Sequence, residues 1–158
     1  MPSTSTRKAT PQAQLRDFIG KFDRGNQSLI RAVRRELRRR LPTATELVYD
    51  NYNFFVIGYS PTARPSDAVL SIVANANGLA LCFIYGKGLP DPANLLRGSG
   101  NQTRSIRLDD ASTLANPAVV RLIDEALARS RAPFERSGKG SLVIRSVSAK
   151  QRPRRRST

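Results

Sequence analysis

The side chains on which most proton-transfer chemistry depends are nearly missing from this sequence. It has no histidine, which removes Ser-His-Asp and Cys-His machinery and most zinc and non-haem iron ligand sets. The single cysteine, Cys82, lies between Leu81 and Phe83 in the most apolar stretch, where a cysteine behaves as a small buried hydrophobe. No Lys or Arg close in sequence would lower its pKa toward a reactive thiolate. One thiol also excludes an intrachain disulfide.

Paired-carboxylate chemistry needs two acids that converge in a cleft. The candidates adjacent in sequence are Asp109 with Asp110 and Asp124 with Glu125. The first pair precedes a helix and fits capping; the second lies on a helix, where adjacent residues do not share a face. No catalytic residue, no metal ligand and no cofactor is therefore assigned, and the chain reads as non-enzymatic.

Basic residues are the chemistry the sequence does supply. There are 27 Lys and Arg against 12 Asp and Glu, a formal charge of +15. Such an excess draws a protein toward nucleic acid, anionic lipid or other polyanions, and it also serves as a solubilising coat. Arg31, Arg34, Arg35, Arg38 and Arg39 fall on one arc at 100° per residue, opposite Leu29, Ile30, Val33, Leu37 and Leu41. That stripe fits either a solvated face or a row of phosphate contacts. A second group sits in the Gly/Pro-rich loop over 86–104, where Lys87, Arg97 and Arg104 accompany Gly98 and Gly100. Amides freed by glycine beside guanidinium groups can cradle an anion. The loop lacks the G-x-x-x-x-G-K-[ST] spacing of a nucleotide-binding P-loop, so turn formation explains its glycines equally well.

The elements that must position these groups follow from periodicity. Thr10-Pro11 starts a helix whose face is Leu15, Phe18, Ile19 and Phe22, with Gly25 as its stop. A second helix over 27–41 carries the arginine stripe and halts at Pro42. Residues 46–50 and 53–59 predict one kinked strand or two short ones. A hairpin follows, 68–74 turning through Asn77-Gly78 into 79–85, where a type I′ turn wants positive φ at both central residues. A short turn capped by Asp91, a strand over 105–108, a helix from Asn116-Pro117 to about Ser130 and a last strand over 142–147 complete the chain. The aromatics Tyr49, Tyr52, Phe54, Phe55, Tyr59, Phe83 and Tyr85 accompany the strands, to fill the core or to stack on bases. The fold class is α+β, a mainly antiparallel sheet of about five strands packed with two N-terminal helices and one later helix. Three parts are expected: residues 1–9 as a disordered basic N-terminus, 10–149 as one domain and 150–158 as a flexible basic tail.

Several stretches resemble the YdhG-like family of unknown function. They are Glu46-Leu47-Val48-Tyr49-Asp50-Asn51-Tyr52-Asn53, Ile57-Gly58, Leu89-Pro90-Asp91-Pro92, Leu95-Leu96-Arg97-Gly98-Ser99-Gly100, Arg104-Ser105-Ile106-Arg107-Leu108 and the terminal Val143-Ile144-Arg145-Ser146-Val147-Ser148-Ala149-Lys150-Gln151-Arg152-Pro153. The resemblance implies a compact α+β domain of frataxin-like appearance, and it brings no active site. In that family the loop often has Lys where Asn101 stands and His where Ser105 stands. Because some members are linked to iron handling, the resemblance raises an iron or small-ligand carrier as the alternative, which a saturable ferrous-iron site involving Asp50, Asp109 or Asp110 would favour.

No apolar run is long enough to span a membrane and the first ten residues lack the apolar core of a secretory signal, so a cytoplasmic location is expected. The expected partner is nucleic acid or another polyanion, not a membrane, met through the arginine helix and the tail by a monomer or homodimer. An exposed sheet edge is where a second copy would pair.

Overall fold

A computed structural model describes residues 9–157. Almost all of the expected basic N-terminus therefore lies outside the described residues. Helix α1 (Pro11–Gly20) starts at Thr10, whose hydroxyl accepts the Ala13 amide at 3.1 Å, and it buries Leu15, Phe18 and Ile19. Helix α2 (Arg24–Arg40) is capped by Asp23, whose carboxylate accepts the Asn26 amide at 2.8 Å. Gly25 is thus inside the first turn of α2 and does not end α1. A carboxylate at the N-cap satisfies a free amide and outweighs the modest penalty for glycine within the helix.

The strands are β1 (Thr45–Asp50), β2 (Phe55–Ser60), β3 (Leu70–Asn75), β4 (Gly78–Phe83), β5 (Arg104–Leu108) and β6 (Ser141–Val147), with α3 (Pro117–Ala128) before the last. They form one six-stranded sheet in the order β5-β4-β3-β2-β1-β6. Neighbours are antiparallel except β1 and β6, which run parallel. The α+β class holds, and the segment that reads as one kinked strand or two is two, so the sheet has six strands.

At the β3–β4 turn Asn75 pairs with Gly78, and only Gly78 has positive φ, at +133°. The turn is centred on Ala76-Asn77, one residue earlier than a type I′ turn at Asn77-Gly78 would be.

Register divides the sheet into two faces. Ile144, Val48, Ile57, Ile72, Leu81 and Ile106 form one row across all the strands. They share an apolar cluster with the buried residues of α1, α2 and α3. The neighbouring row, Val143, Leu47, Gly58, Ser71, Cys82 and Ser105, points the other way and belongs to no helical layer. Alternation of side chains along each strand makes this separation unavoidable once one face is buried. The molecule is two layers deep, helices on one side of the sheet and none on the other.

The end of the chain departs from expectation. The Ser148 amide donates to the Asp50 carbonyl and the Arg152 amide to that of Tyr52, each at 2.9 Å, so the segment after β6 stays paired with the body. Arg154 is only 4 % exposed and its Nη2 donates to Asp50 Oδ1 at 2.9 Å. The flexible tail expected from residue 150 is corrected accordingly: a long guanidinium side chain finds a buried carboxylate, and that contact anchors the strip.

Candidate polyanion-binding surfaces

Placing five arginines on the outer arc of α2 does not make them equivalent, because β1 runs beneath one edge of that helix. Glu46 projects from the helix-facing side of β1 and is buried. Arg34 Nε and Nη2 donate to its two carboxylate oxygens, each at 2.9 Å, and Tyr59 Oη donates to Oε2 at 2.8 Å. Arg38 Nε stands 3.8 Å from the same carboxylate. Burial, reinforced by the adjacent Glu46 charge, pushes the Tyr59 phenol well above its ordinary pKa, so it stays a donor. Burial alone would lower the Arg34 pKa, but its hydrogen bond to Glu46 and the carboxylate charge raise it. Arg39 pairs with Glu36 one turn back, and Arg40 Nη2 reaches Asp124 on α3 at 2.9 Å.

Of the five stripe residues, Arg31 and Arg35 are left with no carboxylate within 4.0 Å among the described residues. Arg31, Arg34, Arg35 and Arg38 still line one surface depression. An anion there would meet the two unpaired guanidinium groups and the outer edges of two that are already engaged.

The loop group sits at the β5 edge, at the other end of the strand order from β6. Arg97 pairs its backbone with Ser105 in an isolated bridge, and its guanidinium donates to the Asn94 and Leu96 carbonyls. Arg104 Nη1 donates to the Gly100 carbonyl at 2.7 Å and the Thr103 carbonyl at 2.9 Å. These arginines fold onto the loop's own carbonyls. Gly98 takes φ of +126° beside the Thr103 carbonyl, and the Lys87 amide donates to the Gln102 carbonyl. The glycines serve the turn geometry of the loop. Among the described residues, no side-chain hydrogen bond or ion pair joins the loop group to the α2 stripe.

The acids named for a metal are also dispersed. Asp50 is buried between Lys21 Nζ at 2.7 Å and Arg154 Nη2 at 2.9 Å. Burial would raise its pKa, yet the hydrogen bonds of Lys21, Gln151 and Arg154 hold it below the ordinary value. Asp109 pairs with Arg107 at 2.9 Å. Asp110 caps the short turn Ala111–Ala115 by accepting the Ser112 amide at 2.7 Å, which lowers its pKa. Among the described residues no three of His, Cys, Asp and Glu come together as a metal site would require. Tyr49 and Asp50 face opposite sides of β1, and Arg104 lies on the far edge strand, so these three make no common cleft. Burial raises the Cys82 thiol pKa, against a weaker opposing hydrogen bond with Ser71, which leaves it protonated at neutral pH.

Two features escaped sequence reasoning. The Glu46 clamp needs β1 to lie under α2, and the Asp50 anchor needs the chain end to return to α1. Neither pairing has a local signature; only a buried acid in a strand rich in Val and Tyr hints at each. No helix of the described residues is long and apolar enough to cross a membrane. Compared with protein-family models, with curated proteins and with solved structures, the chain matches none.

Proposed function

We propose that this protein is a non-enzymatic binding module for polyanions, nucleic acid foremost, and that it belongs with the YdhG-like family. One observation carries the binding reading: six of the twelve carboxylates pair with the protein's own cations, others cap backbone amides, and a surplus of guanidinium groups has no carboxylate within reach. Glu46 and Asp50 are consumed in the interior, and Arg31, Arg35, Arg152, Arg155 and Arg156 have no carboxylate partner among the described residues. Phosphate contacts of that kind position a ligand without reading its sequence. The family placement is supported by the quoted stretches and by an α+β architecture of the sort the resemblance implies.

The test is the salt dependence of binding to a labelled duplex oligonucleotide, followed by fluorescence anisotropy from about 50 to 200 mM salt. Log affinity is expected to fall linearly with log salt, at a slope set by the number of phosphates neutralised. Arg31→Gln with Arg35→Gln should weaken binding to all sequences alike and flatten that slope. No binding at low salt, or an affinity indifferent to salt, overturns the proposal.

A further inference from the structure

Tyr52 and Phe54, 49 % and 43 % exposed, are with Val147 the large apolar side chains left open on the described surface. Both aromatics stand in the connection from β1 to β2, where three open depressions of about 520, 260 and 490 Å³ meet. The first holds both rings beside Asn51, Asn53 and Val56. The second shares Phe54 with it and runs over Val73 and Ala80, on the helix-free face, toward Arg97 and Arg107. The third shares Asn53 with the first, Asn75 and Asn77 with the second, and adds Arg152, Arg156 and Arg155, whose guanidinium also donates to the Lys21 and Gly20 carbonyls at 3.2 and 3.5 Å. No carboxylate lines any of the three.

Resting on the polyanion reading above, we infer that this continuous face binds single-stranded nucleic acid, with unpaired bases stacked on Tyr52 and Phe54 and phosphates held by Arg152, Arg155 and Arg156. Aromatic platforms flanked by arginine are the two components that sequence-tolerant single-strand binding requires. The Arg152 guanidinium lies over the Tyr52 ring, 5.7 Å from its centroid, so a cation stands at the platform and an incoming base must share or displace it. Register places Val56, Val73 and Ala80 in one row ending at Arg107, a flat apolar floor on which a base can lie. The Asn side chains around the rim each offer a donor and an acceptor, which suits base edges. A duplex keeps its base faces stacked inside and cannot use the rings; only splayed bases can.

The experiment compares an oligothymidylate of about twelve nucleotides with a duplex of equal length, at one salt concentration, against full-length protein. Wild type is expected to bind the single strand at least about tenfold more tightly. Tyr52→Leu with Phe54→Leu keeps the apolar character of two exposed positions, and should cost the single strand about tenfold or more while leaving the duplex unchanged. Arg152→Gln, Arg155→Gln and Arg156→Gln, which spare the buried Arg154, should reduce the salt slope for the single strand. Equal affinity for both strands, or no loss in the leucine variant, overturns this inference while leaving polyanion binding intact. Failure of the wild type to bind either probe overturns both. Tighter binding to vesicles of anionic phospholipid than to the oligonucleotide would assign the face to a membrane. A dimer in sedimentation equilibrium that the leucine variant dissociates would assign it to a second copy; either result ends the single-strand assignment.

Discussion

At the scale of single residues, the buried Glu46 carboxylate explains more of α2 than any external ligand does. A charge taken out of water needs a partner of opposite sign and hydrogen bonds for its remaining lone pairs. Arg34 supplies the first as a fork, and Tyr59 adds a neutral donor from β2. Removing Arg34 leaves the carboxylate buried with the Tyr59 hydroxyl and, as its one nearby cation among the described residues, the more distant and largely exposed Arg38. Arg34→Leu is therefore expected to lower unfolding free energy by about 3 kcal/mol, measured by urea denaturation at neutral pH. Tyr59→Phe should cost about 1 kcal/mol by deleting one donor. Arg35→Leu, one position along the helix and without a carboxylate partner, should stay within about 0.5 kcal/mol of wild type. If Arg34→Leu is as harmless as Arg35→Leu, the clamp is not structural. Helical period alone puts Arg34 and Arg35 on one arc and makes them look alike. What separates them is a strand residue twelve positions away, which no periodicity reveals.

At the scale of elements, β6 is the addition that the sheet has to accommodate. It joins the β1 edge in parallel after an excursion through β2 to β5 and α3, and parallel pairing requires such a long crossover. The approach to it is tight: the Gly140 amide donates to the Pro42 carbonyl at 2.9 Å, and a Cβ on Gly140 would overlap the Ala44 carbonyl. Gly140→Ala should destabilise the protein by about 1–3 kcal/mol. Hydrogen exchange should show the lost protection first in β6, with the β3–β4 hairpin still protected; uniform loss across the sheet would contradict this view of β6. Helix starts at Thr10-Pro11 and Asn116-Pro117 were legible because cap and proline act within one turn. The strands were legible from their apolar runs. The partner of β6, its parallel direction and the docking of residues 148–155 were not, since all three depend on contacts about a hundred positions apart. The candidate site divides the same way. The loop arginines were found as a group, but their folding onto the loop's own carbonyls is a matter of side-chain path, and composition carries no record of it.

For the molecule as a whole, Asp50 is where the ends of the chain are held together. Lys21 from the end of α1 and Arg154 from the C-terminal strip converge on one carboxylate of zero exposed area. Two guanidinium nitrogens of Arg154, Nε and Nη1, are buried without a hydrogen-bond partner, so the anchor depends on the single charged contact and on the Asn51 carbonyl. Its strength must vary with pH in a defined direction. The folded Asp50 carboxyl has a pKa below 3.8, its value in an unperturbed chain, so the unfolded state takes up this proton first as the solution is acidified. The stabilisation from Asp50 is accordingly complete above the unfolded value and disappears as pH falls through the folded one. Asp50→Asn cannot titrate and leaves Arg154 buried beside a neutral amide, so it should be less stable than wild type at pH 7, by about 3 kcal/mol. The gap between the two proteins should narrow once the pH drops below about 4, because wild type alone loses this contribution there. A chain of +15 becomes more self-repelling over the same range, but that repulsion acts on both proteins, whose net charges differ by only one at neutral pH, and so cancels in the difference to within that one charge. Urea midpoints for the pair at neutral and acid pH decide the matter: a gap that persists unchanged into acid would show that the C-terminal strip is held by something other than the Asp50 charge.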